Sequence, residues 1–236
     1  YVHIPFCHRR CFYCDFAVIP LGNKVETLKG YGSRTVQEYL KFLYKEILSI
    51  KHKSPLSTIY LGGGTPSILD PQQIRDLINL FRDNYGIDFG AEITMEVDPA
   101  SFNEDELYGF ISAGINRFSL GVQSFNNHIL KNAGRRHSRE DSEKSCSWLK
   151  KTYDLGLIKS WSLDLIQNLP LSGFSKWQED LKKTLIYTPP HLSIYDLSIE
   201  NGTVFKKLSD IGKLELPSED ESLKNSELTS QILKGS

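Results

Sequence analysis

At 236 residues, 39% of them hydrophobic, the chain is long enough to bury one sizeable core in one domain or two. Its formal net charge of −1 excludes the broad basic field that draws a protein to nucleic acid or an anionic membrane surface. No apolar run approaches the ~18 residues needed to span a bilayer, and because the chain opens on Tyr rather than Met there is room for an upstream targeting segment.

The first stretch carries the densest chemistry. Tyr1 to Ile4 reads as a strand and feeds Cys7, Cys11 and Cys14, three of the four cysteines. Gaps of three and then two residues put three thiols on one short loop, with no fourth cysteine or histidine spaced to complete a tetrahedron. Zinc wants four ligands in two paired knuckles, and disulfides suit a small secreted domain, so both fit poorly. Three thiolates can hold three irons of a 4Fe-4S cluster and leave the fourth iron open. Thiols kept available in this way predict a soluble, intracellular protein in a reducing compartment.

Ala17 to Ser33 lacks periodicity and reads as a loop, and Thr35 to Ser49 then spaces its apolar residues as a helix. Leu56 to Leu61 is a strand ending in Gly62-Gly63-Gly64-Thr65-Pro66-Ser67. Asp70 caps the next helix with Pro71 at its first position, and Ile74, Leu77, Ile78 and Phe81 form its apolar stripe. Ile93 to Val97 is the third strand, followed by a helix from about Asn103 to Ala113. The alternation continues with a strand over Arg117 to Val122 and helices over Asn126 to Asn132 and Arg139 to Leu155. Lys159 to Ile166 is the fifth strand, Phe174 to Tyr187 a helix, and His191 to Ser198 the sixth strand. Beyond Asn201-Gly202 the Lys- and Glu-rich stretches read as solvated faces, with Pro217 to Glu221 a loop and a short helix near Leu223 to Leu233. Six strands alternating with helices predict an α/β fold, a parallel sheet wrapped by helices. Alternation alone leaves open whether the sheet closes.

The unusual polar and glycine residues gather at strand C-terminal ends, the face on which α/β folds build their sites. The cysteines follow strand one, and Gly63, Gly64 and Thr65 follow strand two. Glu96 and Asp98 end strand three, Gln123 follows strand four, Asp164 lies on strand five, and Tyr195 and Asp196 on strand six. The glycine turn lacks the Lys of a phosphate-binding loop and suits close backbone approach to a ligand's amine or carboxylate. Glu96, in an apolar strand, calls for a bound cation or a hydroxyl donor; a structural salt bridge is the rival. Gln123 and Asp164 likewise need partners, although Asp164 alone could cap a turn. Arg135, Arg136 and His137 read as a solvated basic turn, with a carboxylate-binding arginine as the sharper alternative.

The cysteine spacing, with the aromatic Tyr13 before Cys14, resembles the radical S-adenosylmethionine superfamily. Within it, Tyr1–Cys7, Gly62–Ser67, Met95–Pro99, Leu120–Phe125, Leu163–Ile166 and Leu192–Leu197 are similar to blocks of the oxygen-independent coproporphyrinogen III oxidases and their HemW-type relatives. The resemblance implies a partial (β/α)6 TIM-like barrel over residues 1–200. It makes Cys7, Cys11 and Cys14 the cluster ligands. S-adenosyl-L-methionine would meet the open iron, in a site lined by Tyr1, the backbone near Tyr13, Gly63, Gly64, Thr65, Glu96, Gln123, Arg135 and Asp164. An electron from the cluster would cleave that cofactor to a 5′-deoxyadenosyl radical.

The oxidase branch carries a further cysteine two residues past the third, where this chain has Phe16. That departure is similar to the haem-chaperone branch and implies haem as cargo, an electron donor and a haem-acceptor protein as partners. Coproporphyrinogen decarboxylation is the alternative, and a degenerate, cofactor-free barrel the third. Asn168 stands where the family has a glycine. The family continues into a C-terminal domain, so residues 201–236 are expected to open a truncated extension. The expected compartment is the cytoplasm, or the plastid or mitochondrion if a leader precedes Tyr1.

Overall fold

The computed structural model describes residues 1–22, 31–51 and 54–234. Its centre is a six-stranded, all-parallel sheet in the order β1 (Val2–Ile4), β4 (Leu56–Gly63), β5 (Ile87–Val97), β6 (Arg117–Gln123), β7 (Ser160–Gln167) and β8 (His191–Asp196). All five crossovers lay each new strand beside the last, so the sheet winds in one direction and every strand C-terminus emerges at the same end. Among the described residues β1 and β8 do not pair, and the barrel is partial. Two short strands, β2 (Phe6–Cys7) and β3 (Ile19–Pro20), form a separate parallel pair that brackets the cysteine loop.

The helices are α1 (Tyr31–Ser49), α2 (Pro71–Tyr85), α3 (Glu104–Ala113), α4 (Asn127–Asn132), α5 (Arg139–Asp154), α6 (Phe174–Tyr187), α7 (Val204–Asp210) and α8 (Glu219–Lys234). Helix α2 shows the local logic. Asp70 and Gln73 form a reciprocal capping box, Pro71 opens the helix, and Ile74, Leu77, Ile78 and Phe81 bury one face, each contributing roughly 1.5–3 kcal/mol. The same box recurs at Asn103/Glu106 before α3 and Ser138/Asp141 before α5. The main core is built from the inward faces of β4 to β7 and these helices, with Trp161, Phe118, Leu61 and Met95 fully buried.

Several expected boundaries are corrected. The stretch taken as a loop from Ala17 to Ser33 contains β3 and the start of α1, and its residues 23–30 lie outside the described residues. Strand β5 starts at Ile87, not Ile93. The charged segment past Phe205 is partly helix α7, and α8 begins at Glu219 inside the supposed Pro217–Glu221 loop. Phe205 is buried in a second, smaller core with Ile129, Ala133, Ile166 and Leu169, against which Phe12 and Tyr13 of the cysteine loop pack. Helix α8 lies on α6 and is registered by polar contacts. Trp177 Nε1 donates to Thr229 Oγ1 at 2.9 Å, Thr229 Oγ1 donates to Gln167 Oε1 at 3.0 Å, and Asn225 Nδ2 donates to Asn168 Oδ1 at 2.9 Å. Asn168 adopts φ +63°, the left-handed turn that the family's glycine would take without strain.

Candidate functional site

The strand C-termini and the cysteine loop enclose one cavity of about 450 Å³, within the range of small-molecule sites. It is lined by Cys7, Cys11, Tyr13, Cys14, Gly63, Gly64, Thr65, Glu96, Gln123, Arg135 and Asp164. These residues come from five strands and three loops, and only the parallel winding brings them together. Tyr1, alone of the expected site residues, is not among those lining the cavity. Its side chain is 77% exposed and stacks on Tyr60 at 6.0 Å between ring centroids. Its hydroxyl meets His3 Nδ1 at 3.0 Å, while His3 Nε2 donates to the Ala17 carbonyl at 3.0 Å.

The cysteine loop is pinned from outside itself. Phe12 N–H donates to the Ala133 carbonyl at 3.0 Å, Phe205 N–H donates to the Phe12 carbonyl at 2.9 Å, and Arg9 grips the Gly134 and Arg135 carbonyls at 2.8–3.0 Å. Arg10 closes the loop's own end by donating to the Cys14 and Phe16 carbonyls. The glycine turn is fitted to it. A Cβ on Gly64 would lie 2.6 Å from the Phe6 carbonyl oxygen and 2.9 Å from Cys7 Sγ, and one on Gly63, at φ +117°, would strike the His3 ring at 2.7 Å. Thr65 Oγ1 donates to Cys7 Sγ at 3.5 Å.

Burial pushes the Cys7 thiol up to about 11, with the Thr65 hydroxyl pulling the other way, and burial also raises Cys14. The Cys7 and Cys14 thiols therefore resist ionisation near neutrality, and a bound metal group is what would hold them as thiolates, with release of protons. Among the described residues no three of His, Cys, Asp and Glu converge closely enough for a single metal ion. A cluster differs in that it spreads three thiolates over three irons.

Deeper in the cavity the groups are acceptors. Glu96 Oε1 accepts from the Tyr60 hydroxyl at 2.8 Å and Oε2 from Gly63 N–H at 3.1 Å, which supplies the hydroxyl donor expected for this carboxylate. Asp164 Oδ2 accepts from Ser119 Oγ at 2.7 Å, whereas its Oδ1 is buried without a partner, as is Gln123 Oε1. Burial raises both carboxyls against these hydrogen bonds. Gln123 sits at φ +67°, beside a register shift in the β6–β7 pairing, a strained backbone of the kind found at functional sites. Two desolvated carboxylates and two orphaned acceptors around one cavity fit a ligand that brings positive charge and several N–H or O–H donors. S-adenosylmethionine, with its ammonium, sulfonium and ribose hydroxyls, meets that description.

Arg135 is not on a solvated turn. Its side chain is 10% exposed and forms an ion pair with Asp98, which holds that carboxyl well below the usual range although burial opposes it. It also donates to the Gly121 carbonyl at 2.7 Å and reaches Cys11 Sγ at 3.5 Å and the Tyr13 hydroxyl at 3.4 Å. His137 was thus missed as a site member, and Asp98 stood out only as a strand end, since nothing local in the sequence pairs the end of β5 with the segment after α4. Tyr60, Ser119 and Arg10 were missed as well. Phe16 lies at the cavity mouth, 59% exposed, with Tyr195 and Asp196 across from the loop also lining it.

Comparison with known proteins identifies the family. The family model described as the radical SAM superfamily matches residues 1–158. The heme chaperone HemW of Synechocystis sp. is 41% identical over 218 residues, 92% of this chain and 51% of that protein. HemW of Lactococcus lactis is 35% identical over 233 residues, covering 99% and 57%. The chain spans about half the length of the curated relatives it matches. Among solved structures, coproporphyrinogen III oxidase (HemN) from Escherichia coli, described as a radical SAM enzyme, superposes with a TM-score of 0.84 at 28% identity, over 100% of this chain and 52% of that one. The archaeal Elp3 of Methanocaldococcus infernus, at 20% identity and a TM-score of 0.58, shares the fold alone.

Proposed function

The chain belongs to the radical SAM superfamily, and from that premise we propose that it is a haem-chaperone-type member that binds haem and hands it to an acceptor protein. The family implies a 4Fe-4S cluster and S-adenosylmethionine; we assign the cluster to Cys7, Cys11 and Cys14, and the cofactor's donors to Glu96, Gln123 and Asp164. Gly63, Gly64 and Thr65 supply backbone close to the cysteines, and Tyr13 walls the cavity. When bound and given an electron by a donor protein, the pair supplies radical chemistry, and the chain's share is to orient it, set its electronics and keep out water. The compartment is one that keeps thiols reduced: cytoplasm, plastid stroma or mitochondrial matrix. Among the described residues no helix is long and apolar enough to cross a membrane.

The observation that carries the chaperone reading is Phe16, an exposed aromatic at the cavity mouth where the oxidase branch resembled above places a thiol. The oxidase reading is supported by the 0.84 TM-score over the whole chain. One experiment separates them. Anaerobic reconstitution is expected to load roughly four irons and four sulfides per chain, and Cys11→Ala to lose them. Haem added to the loaded protein is expected to give a saturable visible spectrum without turnover of coproporphyrinogen III. Decarboxylation of that substrate would overturn the chaperone reading in favour of the oxidase, and no iron uptake by the wild type would leave a degenerate barrel.

A further inference from the structure

Arg135 spreads its N–H groups over five neighbours, and the way it divides them is informative. Nη2 serves the Asp98 carboxylate and the Gly121 carbonyl at 2.7 Å and also lies 3.3 Å from His137 Nδ1. Nε points to His137 Nδ1 at 3.4 Å. Nη1 is left, and it lies 3.5 Å from Cys11 Sγ and 3.4 Å from the Tyr13 hydroxyl. A guanidinium only donates, so His137 Nδ1 accepts and the ring proton sits on Nε2, where it is donated to the Val122 carbonyl at 3.0 Å. His137 is 3% exposed and cannot turn without losing both bonds. Asp98 is held just as firmly, its Oδ1 accepting from Ala100 N–H at 3.1 Å.

We propose that Asp98 and His137 are positioning residues that fix the Arg135 guanidinium so that Nη1 donates to the sulfur of Cys11, and that this donation tunes the cluster. The proposal rests on the cluster assignment made above. It adds the sulfur side of the site to the contacts with S-adenosylmethionine's polar groups that the family resemblance implied for Arg135. Reduction adds negative charge to a cluster and its ligating sulfurs. A donor and a fixed positive charge at one of those sulfurs stabilise the reduced form more than the oxidised one and raise the potential. Inside a cavity this contact is weakly screened, so holding the donor in place matters more than at a surface.

The test uses the full chain, reconstituted anaerobically with iron and sulfide and titrated by mediated electrochemistry with spin resonance as the readout, without S-adenosylmethionine. His137→Leu removes the acceptor that aims Nε. Its midpoint is expected to move negative by about a tenfold change in the reduction equilibrium, about 59 mV for one electron. His137→Gln offers an amide oxygen to Arg135 and an N–H to Val122, and is expected to return the midpoint to near wild type. Arg135→Lys keeps the charge but cannot span Asp98 and Cys11 together, so it shifts the same way as His137→Leu and carries the test should the leucine variant not fold. Unchanged midpoints in His137→Leu and Arg135→Lys at full iron content would overturn the inference and leave the cluster assignment standing. A wild type that takes up no iron overturns both.

Discussion

Replacing Gly64 by alanine asks whether the glycine turn and the cysteine loop are built against one another. The new Cβ would lie 2.6 Å from the Phe6 carbonyl oxygen and 2.9 Å from Cys7 Sγ, both inside contact distance. Retreat is blocked, because Gly64 N–H is bonded to the Ile4 carbonyl at 2.9 Å and holds the turn to β1. Overpacking of this kind costs roughly 1–3 kcal/mol. At about 2–4 °C per kcal/mol for a chain of this size, the cluster-free protein should melt roughly 2–12 °C lower. Iron uptake should fall as well, since the displaced atom is the sulfur of Cys7, a proposed cluster ligand. Gly22→Ala is the control: at φ +62° it meets nothing within 4 Å, so it strains the backbone by roughly 1–2 kcal/mol without pushing on Cys7. Melting curves and iron assays on the three proteins decide it. A Gly64→Ala variant with wild-type melting and full iron would refute the reasoning, and so would equal iron loss in both variants.

Asp180 is 3% exposed and accepts from Ser124 Oγ at 2.7 Å and Phe125 N–H at 2.8 Å, yet burial pushes its carboxyl up to about 6 from 3.8. A raised carboxyl favours the fold fully below its unfolded value and loses that contribution as pH climbs through 6, so Asp180→Asn should gain on the wild type by up to about 3 kcal/mol between about pH 4 and 7. Urea midpoints that stay parallel over that range would sink the idea. Asp164→Ala should weaken S-adenosylmethionine binding to the loaded protein roughly 10- to 100-fold, the worth of one hydrogen bond to a charged group, with iron content unchanged; calorimetry showing equal affinity would count against it. Thr229→Val strips partners from the Trp177 indole and Gln167 and should cost about 1–3 kcal/mol, read by tryptophan fluorescence in urea; an unmoved midpoint would show that the α8 contacts are not holding the helix.

The strand–helix alternation was legible because each buried strand is a short apolar run and most helices announce their caps. Asp70-Pro71 and Asn103 mark starts that the structure reproduces. Strand β5 was read short because Asp88, Phe89 and Gly90 are exposed there and break the apolar pattern that marks the rest of the strand. Helix α7 was missed because its one buried residue, Phe205, answers to Phe12 and Tyr13 nearly the whole chain away, not to its own neighbours. The site divides the same way. Glu96, Gln123 and Asp164 stood out as polar residues at strand ends, which periodicity reveals. The Asp98–Arg135–His137 arrangement depends on which loops meet over the sheet, and no periodicity encodes that.

The anchoring of the cysteine loop to Ala133, Gly134 and Phe205 has a consequence for biosynthesis. The thiols leave the ribosome well before the segments whose backbone bonds shape their loop. At translation rates of about 5–20 residues per second, roughly 10–40 seconds separate Cys14 from Phe205. Throughout that interval the nascent chain carries three unshaped thiols, open to stray metal and oxidant. Delivery of iron and sulfide in the shaped geometry is thereby confined to a time after Phe205 has been made.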